Sequence, residues 1–239
     1  TSAEVIAALK AEGVTMSEWL REYECVFASG DTTLIDSIWL LRLNAYVRKP
    51  ILVDKWGTRW YHPIKPNKVY CVILDPSEGV GGDNGVIQVW CLPDMVQVAE
   101  WAKHDLNQIE QAKQLVRILT KIDNTLQDHP EHIGESSLYY SIECNGVGLG
   151  VVNMITQEES NLPGYFIDSD GNKVRGIRTT EPSKKEYSFR LKTMIERGTF
   201  IPHSKGLVSE FKTFVKRGKN FSAKAGSKDD RVMACVLMC

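Results

Sequence analysis

The sequence lacks several features that would assign a function at once. Its longest late apolar run, Val232 to Met238, is far too short to span a bilayer, so we expect no membrane partner. No G-x-S-x-G element supports a serine nucleophile, and no G-x-x-x-x-G-K-S/T loop supports ATP hydrolysis in this chain. Internal repeats and low-complexity tracts are also absent. These absences argue against a membrane-spanning protein, a serine hydrolase and an ATP-driven motor.

Cysteine is present but never as a C-x-x-C pair. The six cysteines fall mostly in apolar segments, as expected of small core residues in a reducing compartment. They are Cys25, Cys71, Cys91, Cys144, Cys235 and Cys239. The histidines show no metal-ligand spacing, so we expect surface positions for them. They are His62, His104, His129, His132 and His203.

Charge is distributed unevenly along the chain, although the formal net charge is only −1. Residues 172–231 contain sixteen Lys or Arg and six Asp or Glu, whereas the remainder of the chain is acidic. A basic final third beside acidic clusters indicates a polyanionic partner handled by an acidic centre. A lysine-rich solvated surface is the alternative interpretation.

The hydrophobic pattern predicts an α/β fold with a mixed sheet flanked by helices. Strands are predicted at 68–75, 85–92 and 95–104 as an antiparallel meander, followed by an amphipathic helix and the strand "SSLYYSIEC". Further helices are predicted after "NGVGLG", over 184–197, over "GLVSEFKTFVKRG" and at "DDRVMACVLMC". The prolines before residue 65 predict an irregular connection. We therefore divide the chain into a helical linker, 1–64, and a main domain, 65–239.

Three acids occupy comparable places at the ends of hydrophobic elements. Asp75 ends the strand "VYCVILD", Glu143 follows "LYYSI" and Asp230 opens the last helix. Elements anchored in the core present such side chains rigidly, which is what a Mg²⁺ site requires. Asp75 could instead close a turn, and Asp230 could complement a helix dipole. An acid closing a buried strand, as Glu143 does, is unusual without a partner.

The segments around these acids resemble the nuclease motifs of the large terminase subunit of tailed bacteriophages, most closely the myovirus type. The matching stretches are "YCVILDPSEGVGGDNGVIQVW", "YYSIECNGVGLGVV" and "SKDDRVMACV", in the family's order and spacing. The upstream "EWLREYECVFASGDTTLI" resembles the join between that family's motor and nuclease domains. The resemblance thus covers nearly the whole chain.

This resemblance implies an RNase H-like fold and an endonuclease that cuts concatemeric double-stranded viral DNA during genome packaging. It implies Mg²⁺ or Mn²⁺ as cofactor, with two ions acting on the phosphodiester. The expected partners are double-stranded DNA, a motor ATPase domain of the same protein, the portal and the small terminase subunit. The expected location is the host-cell cytoplasm, with transient residence at the procapsid portal.

By motif, the resemblance makes Asp75, Glu143 and Asp230 the catalytic acids and metal ligands. Asp230 is preferred to Asp229 because the family's acid immediately precedes an x-apolar-Met stretch. The neighbouring acids that are implied as further ligands are Glu78, Asp83 and Asp229. The hairpin around "DSDGNKVRGIRTTEP" is longer than the family suggests, which leaves the shape of the DNA groove open.

Basic residues flanking the acids are expected to hold duplex phosphates without reading sequence. They are Lys184, Lys185, Arg190, Lys192, Lys212, Lys216, Arg217, Lys219, Lys224 and Lys228. A solvated basic face is the alternative for any one of them.

Two other functions share some of these features. A Holliday-junction resolvase or transposase-like nuclease of the same superfold would share the acids and differ in substrate. A non-catalytic DNA-docking module would retain DNA without breaking strands. The glycines of "NGVGLG" do not have the G-x-G-x-x-G spacing of a dinucleotide site, so helix–strand packing beside Glu143 is expected for them. "DSDGN" lacks the closing glutamate of a calcium loop and predicts a hairpin turn at Asp170-Gly171.

Overall fold

The structure, a computed structural model, describes residues 33–131, 137–169 and 175–239. A seven-stranded mixed sheet forms its centre, with strand order β1-β2-β5-β4-β3-β6-β7. The strands are β1 (Leu52–Val53), β2 (Arg59–Trp60), β3 (Val69–Asp75), β4 (Gly85–Leu92), β5 (Val96–Lys103), β6 (Leu138–Ile142) and β7 (Tyr165–Phe166). A separate hairpin pairs β8 (Phe214–Arg217) with β9 (Asn220–Ala223).

Six α-helices cover this sheet in the described part of the chain. They are α1 (Ser37–Ala45), α2 (Gln108–Gln127), α3 (Gly148–Gln157), α4 (Glu181–Arg197), α5 (Lys205–Thr213) and α6 (Asp230–Val236). Helices α2 and α3 pack on one face of the sheet, and α1, α4, α5 and α6 form a second core against the other. None of them combines the length and apolarity that a bilayer crossing requires.

Strand β4 shows why the sheet is covered on both faces. Ile87 and Val89 enter the core that contains α2 and α3, whereas Trp90 enters the core on the opposite face and stacks on Phe200 with ring centroids 4.5 Å apart. The sequence of a strand that is buried on both faces is continuously apolar, whereas a strand with one exposed face alternates between apolar and polar residues. The predicted mixed sheet flanked by helices is therefore confirmed.

The topology brings the ends of three elements to one edge of the sheet. Strand β3 pairs antiparallel with β4 and parallel with β6, so the end of β3 lies beside the start of β4 and the end of β6. The first turn of α6 approaches the same edge, because α6 packs on β3 and β4. Strand ends at such an edge are where an open α/β sheet places its ligand sites.

Some predicted elements differ from the observed ones. The helix predicted over "GLVSEFKTFVKRG" ends at Thr213, and the chain then enters the β8–β9 hairpin. Phe214 and Val215 are both buried, and β-branched or aromatic residues suit a strand once tertiary packing covers them. His203 is buried rather than exposed, because its ring packs against Tyr61 and His62.

Three predicted features lie outside the described residues: the part of the helical linker before residue 33, the turn at Asp170-Gly171 and His132. Within 33–64 the chain forms α1, β1 and β2, and β2 joins the sheet beside β5. The division at residue 64 stays a prediction.

Candidate active site at the sheet edge

Asp75, Glu143 and Asp230 line one open cleft of about 500 Å³ at the sheet edge. They come from the end of β3, from the residue after β6 and from the first residue of α6. Residues separated by up to 155 positions in the sequence are thus presented to a single space, each on an element anchored in the core.

The carboxyl groups of Asp75 and Glu143 are neighbours because β3 and β6 run parallel. Leu74 pairs with Ile142, and the backbone N–H of Glu143 donates to the carbonyl of Leu74 at 3.0 Å. Burial raises the pKa of Asp75 well above its ordinary value, and the charge of Glu143 and a hydrogen bond shared with it raise the pKa further. The cleft therefore holds a carboxyl group that resists ionising unless positive charge arrives.

Glu143 is held by Thr179, which is in turn positioned by Asn145 on the cleft wall. The hydroxyl of Thr179 donates a short hydrogen bond to Glu143 Oε1, and the amide of Asn145 donates to the backbone carbonyl of Thr179 at 2.8 Å. Glu143 also forms an isolated parallel β-bridge with Ile177, directly after β6. These contacts restrain the carboxylate before any ligand binds.

Asp230 is buried and is fixed from the opposite wall by Asn84. The backbone N–H and the side-chain amide of Asn84 both donate to Asp230 Oδ2, at 2.8 and 2.7 Å. Burial raises the pKa of Asp230, and the two hydrogen bonds from Asn84 oppose that rise. Asp229 points elsewhere, because its Oδ2 accepts from the backbone N–H of Ala223 at 3.0 Å in the β8–β9 hairpin.

Glu78 and Asp83 also line the cleft, on the loop that joins β3 to β4. The loop packs closely against Leu106 at Gly79, where a Cβ would lie 2.2 Å from the carbonyl oxygen of Leu106. The φ of Gly79 is +74°, a value that residues with side chains rarely adopt. The Nζ of Lys228 donates to the carbonyl of Gly82 and ties the loop to the start of α6. The neighbouring acids are therefore held at the mouth of the cleft.

The cleft offers oxygen donors of the kind that Mg²⁺ and Mn²⁺ prefer. Among the residues that the structure describes, no three Asp, Glu, His or Cys side chains already converge as a complete ligand set. Thr179 and Asn84 instead occupy oxygens of Glu143 and Asp230. The donor chemistry fits a hard divalent cation, and the mutual repulsion of the acids is what such a cation would relieve.

Five of the predicted DNA-binding residues lie in two places, the start of α4 and the β8–β9 hairpin. Lys184 lines the cleft itself, near the start of α4, and Lys185 is exposed beside it. Lys216, Arg217 and Lys219 are exposed on the β8–β9 hairpin. The hairpin is joined to the start of α4, because the side-chain amide of Asn220 donates to the carbonyl of Glu181 at 2.9 Å.

Other members of the predicted set are engaged in contacts within the chain. Arg190 pairs with Glu186 at 2.6 Å, and Lys192 lies 3.1 Å from Glu196 and donates to the carbonyl of Leu34 at 2.9 Å. Lys212 and Lys224 are half-buried. Lys184 therefore lies with the acids and the hairpin cations adjoin the start of its helix, whereas Arg190 and Lys192 are engaged in helix contacts.

Three cleft residues were not found by sequence reasoning: Asn84, Asn145 and Thr179. Asn84 and Asn145 stand beside predicted acids in "GGDNG" and "ECNG", so proximity to those acids was an available signal. Thr179 lies far from any motif, and its approach to Glu143 depends on how the chain returns after β7. No local pattern marks such a contact.

Gly148 is required for the packing of α3 beside Glu143. A Cβ at Gly148 would lie 1.9 Å from the backbone carbonyl oxygen of Glu143, whereas one at Gly150 would lie 3.4 Å from the amide oxygen of Gln108. We expect Gly148→Ala to lower the free energy of unfolding by about 1–3 kcal/mol through overpacking. Chemical denaturation would measure this loss.

Gly150→Ala is the matched control, because the flexible amide of Gln108 can move away from a new methyl group. We expect it to be neutral or to stabilise by about 0.4–1 kcal/mol, since alanine restricts the unfolded chain. Equal stability of the two alanine variants would contradict the packing role assigned to Gly148.

The fold is shared with solved nuclease domains of phage terminases. The large terminase nuclease of thermophilic phage G20c with bound cobalt superposes with a TM-score of 0.62 at 14% identity, covering 87% of this chain and 96% of that one. The nuclease domain of the Thermus phage P74-26 large terminase gives 0.57 at 14% identity, covering 83% and 92%. For the nuclease domain of the large terminase subunit of bacterial virus Sf6 the values are 0.50 and 13%, covering 87% and 98%. No model of a known protein family matches the sequence.

These likenesses show that the chain shares the fold of those nuclease domains, and they agree with the predicted mixed sheet flanked by helices. At such low identity, the similarity is one of fold. What the cleft does must therefore be argued from its own residues.

Proposed function

We propose that this chain is a terminase nuclease domain, a divalent-metal-dependent endonuclease that cleaves double-stranded DNA during viral genome packaging. The observation that carries the proposal is the presentation of Asp75, Glu143 and Asp230 to one cleft of a fold shared with terminase nucleases. The acid motifs of the sequence and the three-dimensional fold both support the same class of protein.

Asp75, Glu143 and Asp230 would hold the metal, with Glu78 and Asp83 near enough to the cleft to contribute. Structures of the G20c nuclease contain cobalt, magnesium or zinc, which supports a divalent ion in this fold. When bound, two Mg²⁺ or Mn²⁺ ions would supply an activated water and charge stabilisation at the leaving oxygen. Either ion would also lower the cost of ionising Asp75 beside Glu143.

The residues of the chain itself perform three tasks in this proposal. Asn84 and Thr179 orient Asp230 and Glu143 through the hydrogen bonds that they donate. Lys184, on the cleft wall, supplies a positive charge for a phosphate next to the one that is cut. The open cleft admits a polymer backbone, which an enclosed pocket would exclude.

The hairpin cations Lys216, Arg217 and Lys219 extend the phosphate-binding surface away from the cleft. Binding through such contacts is salt-sensitive and independent of base sequence. The wider partners of the proposal are a motor ATPase domain, the portal and the small terminase subunit, in the host-cell cytoplasm. They follow from the terminase assignment.

The test compares two adjacent acids in one assay. We expect Asp230→Asn to abolish Mn²⁺-dependent nicking of plasmid DNA, because its carboxylate lines the cleft. Asp229→Asn should retain activity, because asparagine preserves an oxygen acceptor for the Ala223 N–H. Agarose-gel assays of supercoiled, nicked and linear plasmid would measure both.

Wild-type nicking by Asp230→Asn would refute the site assignment. An absence of strand breaks in the wild-type chain with every divalent metal would favour a non-catalytic DNA-docking module. Cleavage of branched junctions in preference to linear duplex would instead favour a resolvase-like nuclease of the same superfold.

A further inference from the structure

A second charged depression meets the first turn of α6 next to the acid cleft. This cationic groove has a volume of about 660 Å³ and is lined by Arg48, Lys49, Arg59, Lys205, Arg231 and the acid Glu100. Its cations come from the segment after α1, from β2 and from the starts of α5 and α6. None of the residues predicted to bind DNA belongs to it.

The acid of the groove is already neutralised by the groove's own arginines. Glu100 is almost fully buried and lies 3.3 Å from Arg231 Nε and 3.7 Å from Arg59 Nη1. Arg231 is also paired with Glu210 at 2.6 Å. The charge left to act on a ligand is therefore the positive charge of Arg48, Lys49 and Lys205.

Arg48 contacts two histidine rings, which carry no negative charge that could neutralise it. Its guanidinium donates to His203 Nε2 at 3.0 Å and closely approaches His62. Burial, and then the charge of Arg48, lowers the pKa of His62 to about 4, and burial lowers the pKa of His203. Both rings are therefore neutral at neutral pH, and the guanidinium carries the positive charge of this cluster.

The N-terminus of α5 adds oriented backbone dipoles to the same wall. Ser204 is the N-cap, so Lys205 and Gly206 present the first-turn N–H groups at the positive end of the helix. Gly206 is needed there, because a Cβ would lie 2.9 Å from Arg231 Nε. Backbone N–H groups and arginine at one wall are a combination that suits a phosphate.

We propose that the cationic groove binds a backbone phosphate of the DNA strand that continues beyond the acid cleft. Consecutive residues of α6 face the two sites: Asp230 lines the cleft and Arg231 lines the groove. One rigid helical turn would thus set the spacing between the scissile phosphate and the phosphate held in the groove. The proposal rests on the endonuclease function for its substrate, although its binding test does not require cleavage.

The test removes the two exposed lysines together, as Lys49→Ala/Lys205→Ala. Its probe is a duplex of about 40 base pairs, long enough to cross the whole chain, with chelator present so that no strand is cut. We expect the Kd at moderate salt to rise about tenfold, and the slope of log K against log salt to fall by about 1.8, as for two lost phosphate contacts. Fluorescence anisotropy across a salt series measures both.

Lys113→Ala is the control, since Lys113 is exposed on α2, on the opposite face of the sheet, where it pairs with Glu110 at 2.8 Å. A double variant with the Kd and salt slope of this control would overturn the proposal. The proposal would also be overturned if the double variant lost binding to poly-glutamate but kept its affinity for DNA. The groove would then be a site for an acidic protein segment. If Asp230→Asn still cuts DNA while the double variant loses affinity, the catalytic assignment fails and the groove stands.

Discussion

Replacing Asp75 with asparagine is expected to reduce metal-dependent DNA cleavage by about 10³-fold or more. A bound divalent ion supplies several kcal/mol of charge stabilisation in the transition state, and each 1.36 kcal/mol is a factor of ten in rate. Asp75 lies beside Glu143 and near Asp230, and an amide there removes the negative charge that would hold the ion. Single-turnover cleavage of a linear duplex in Mn²⁺ measures the loss.

The same variant should be more stable than the wild type in the absence of divalent ions. Asparagine keeps the shape of Asp75 while removing a carboxyl group that is costly to ionise beside Glu143 and Asp230. A gain on the order of 1 kcal/mol would raise Tm by about 2–4 °C in a chain of this size. Added Mn²⁺ should raise the Tm of the wild type and leave that of the variant nearly unchanged.

These two readouts distinguish a functional acid from a structural one. If Asp75 merely closed a turn, asparagine would lower Tm or leave it unchanged, and cleavage would fall only in proportion to unfolding. A variant that is both less stable and fully active would contradict the proposed metal site.

Replacing Arg231 with methionine is expected to lower the free energy of unfolding by about 3–5 kcal/mol, since it leaves buried carboxylates without their partner. Arg231 Nη1 contacts Glu210 at 2.6 Å, and both Glu210 and Glu100 are buried. Glu210 Oε2 additionally accepts the backbone N–H of Arg231 at 2.7 Å and so caps the first turn of α6. Urea unfolding followed by circular dichroism measures the change.

Arg190→Met is the matched control, because Arg190 is an exposed arginine that pairs with Glu186 on one helix face. Exposed pairs contribute about 0–1 kcal/mol, so we expect a small effect. Adding Glu210→Gln to Arg231→Met should recover part of the loss, because it removes one of the stranded charges. Equal losses in the two methionine variants would show that the network around Arg231 is not a buried one.

Much of the fold was predictable because its strands are long, apolar and bounded by turn residues. The predicted strands at 68–75, 85–92 and 95–104 agree within one residue with β3, β4 and β5. The β8–β9 hairpin was missed because "KTFVKRG" continues the apolar spacing of α5. Phe214 and Val215 form the start of β8, and they are buried in the fold, Phe214 in the core that contains Phe211. This packing, which favours the strand, involves residues outside the local pattern.

The candidate site was predictable in its acids and not in their surroundings. Asp75, Glu143 and Asp230 each end or begin a hydrophobic element, and that local pattern is visible in the sequence. The choice of Asp230 over Asp229 rested on a family motif, and the structure adds a geometric reason, since Asp229 turns to Ala223. The contacts of Thr179 and Asn84 depend on segments that meet only after folding.

The apolar pattern of the sequence was enough to predict the mixed sheet and to place three acids at the ends of its elements. Two features appear only in three dimensions: the meeting of these ends at one cleft, and the cationic groove formed by Arg48, Arg59, Lys205 and Arg231. The difference lies in the sequence distance between the residues involved. Apolar periodicity depends on residues that are close together in the sequence. Like charges from distant segments meet because the packing of the core brings those segments together, and the free energy of that packing outweighs the repulsion between the charges.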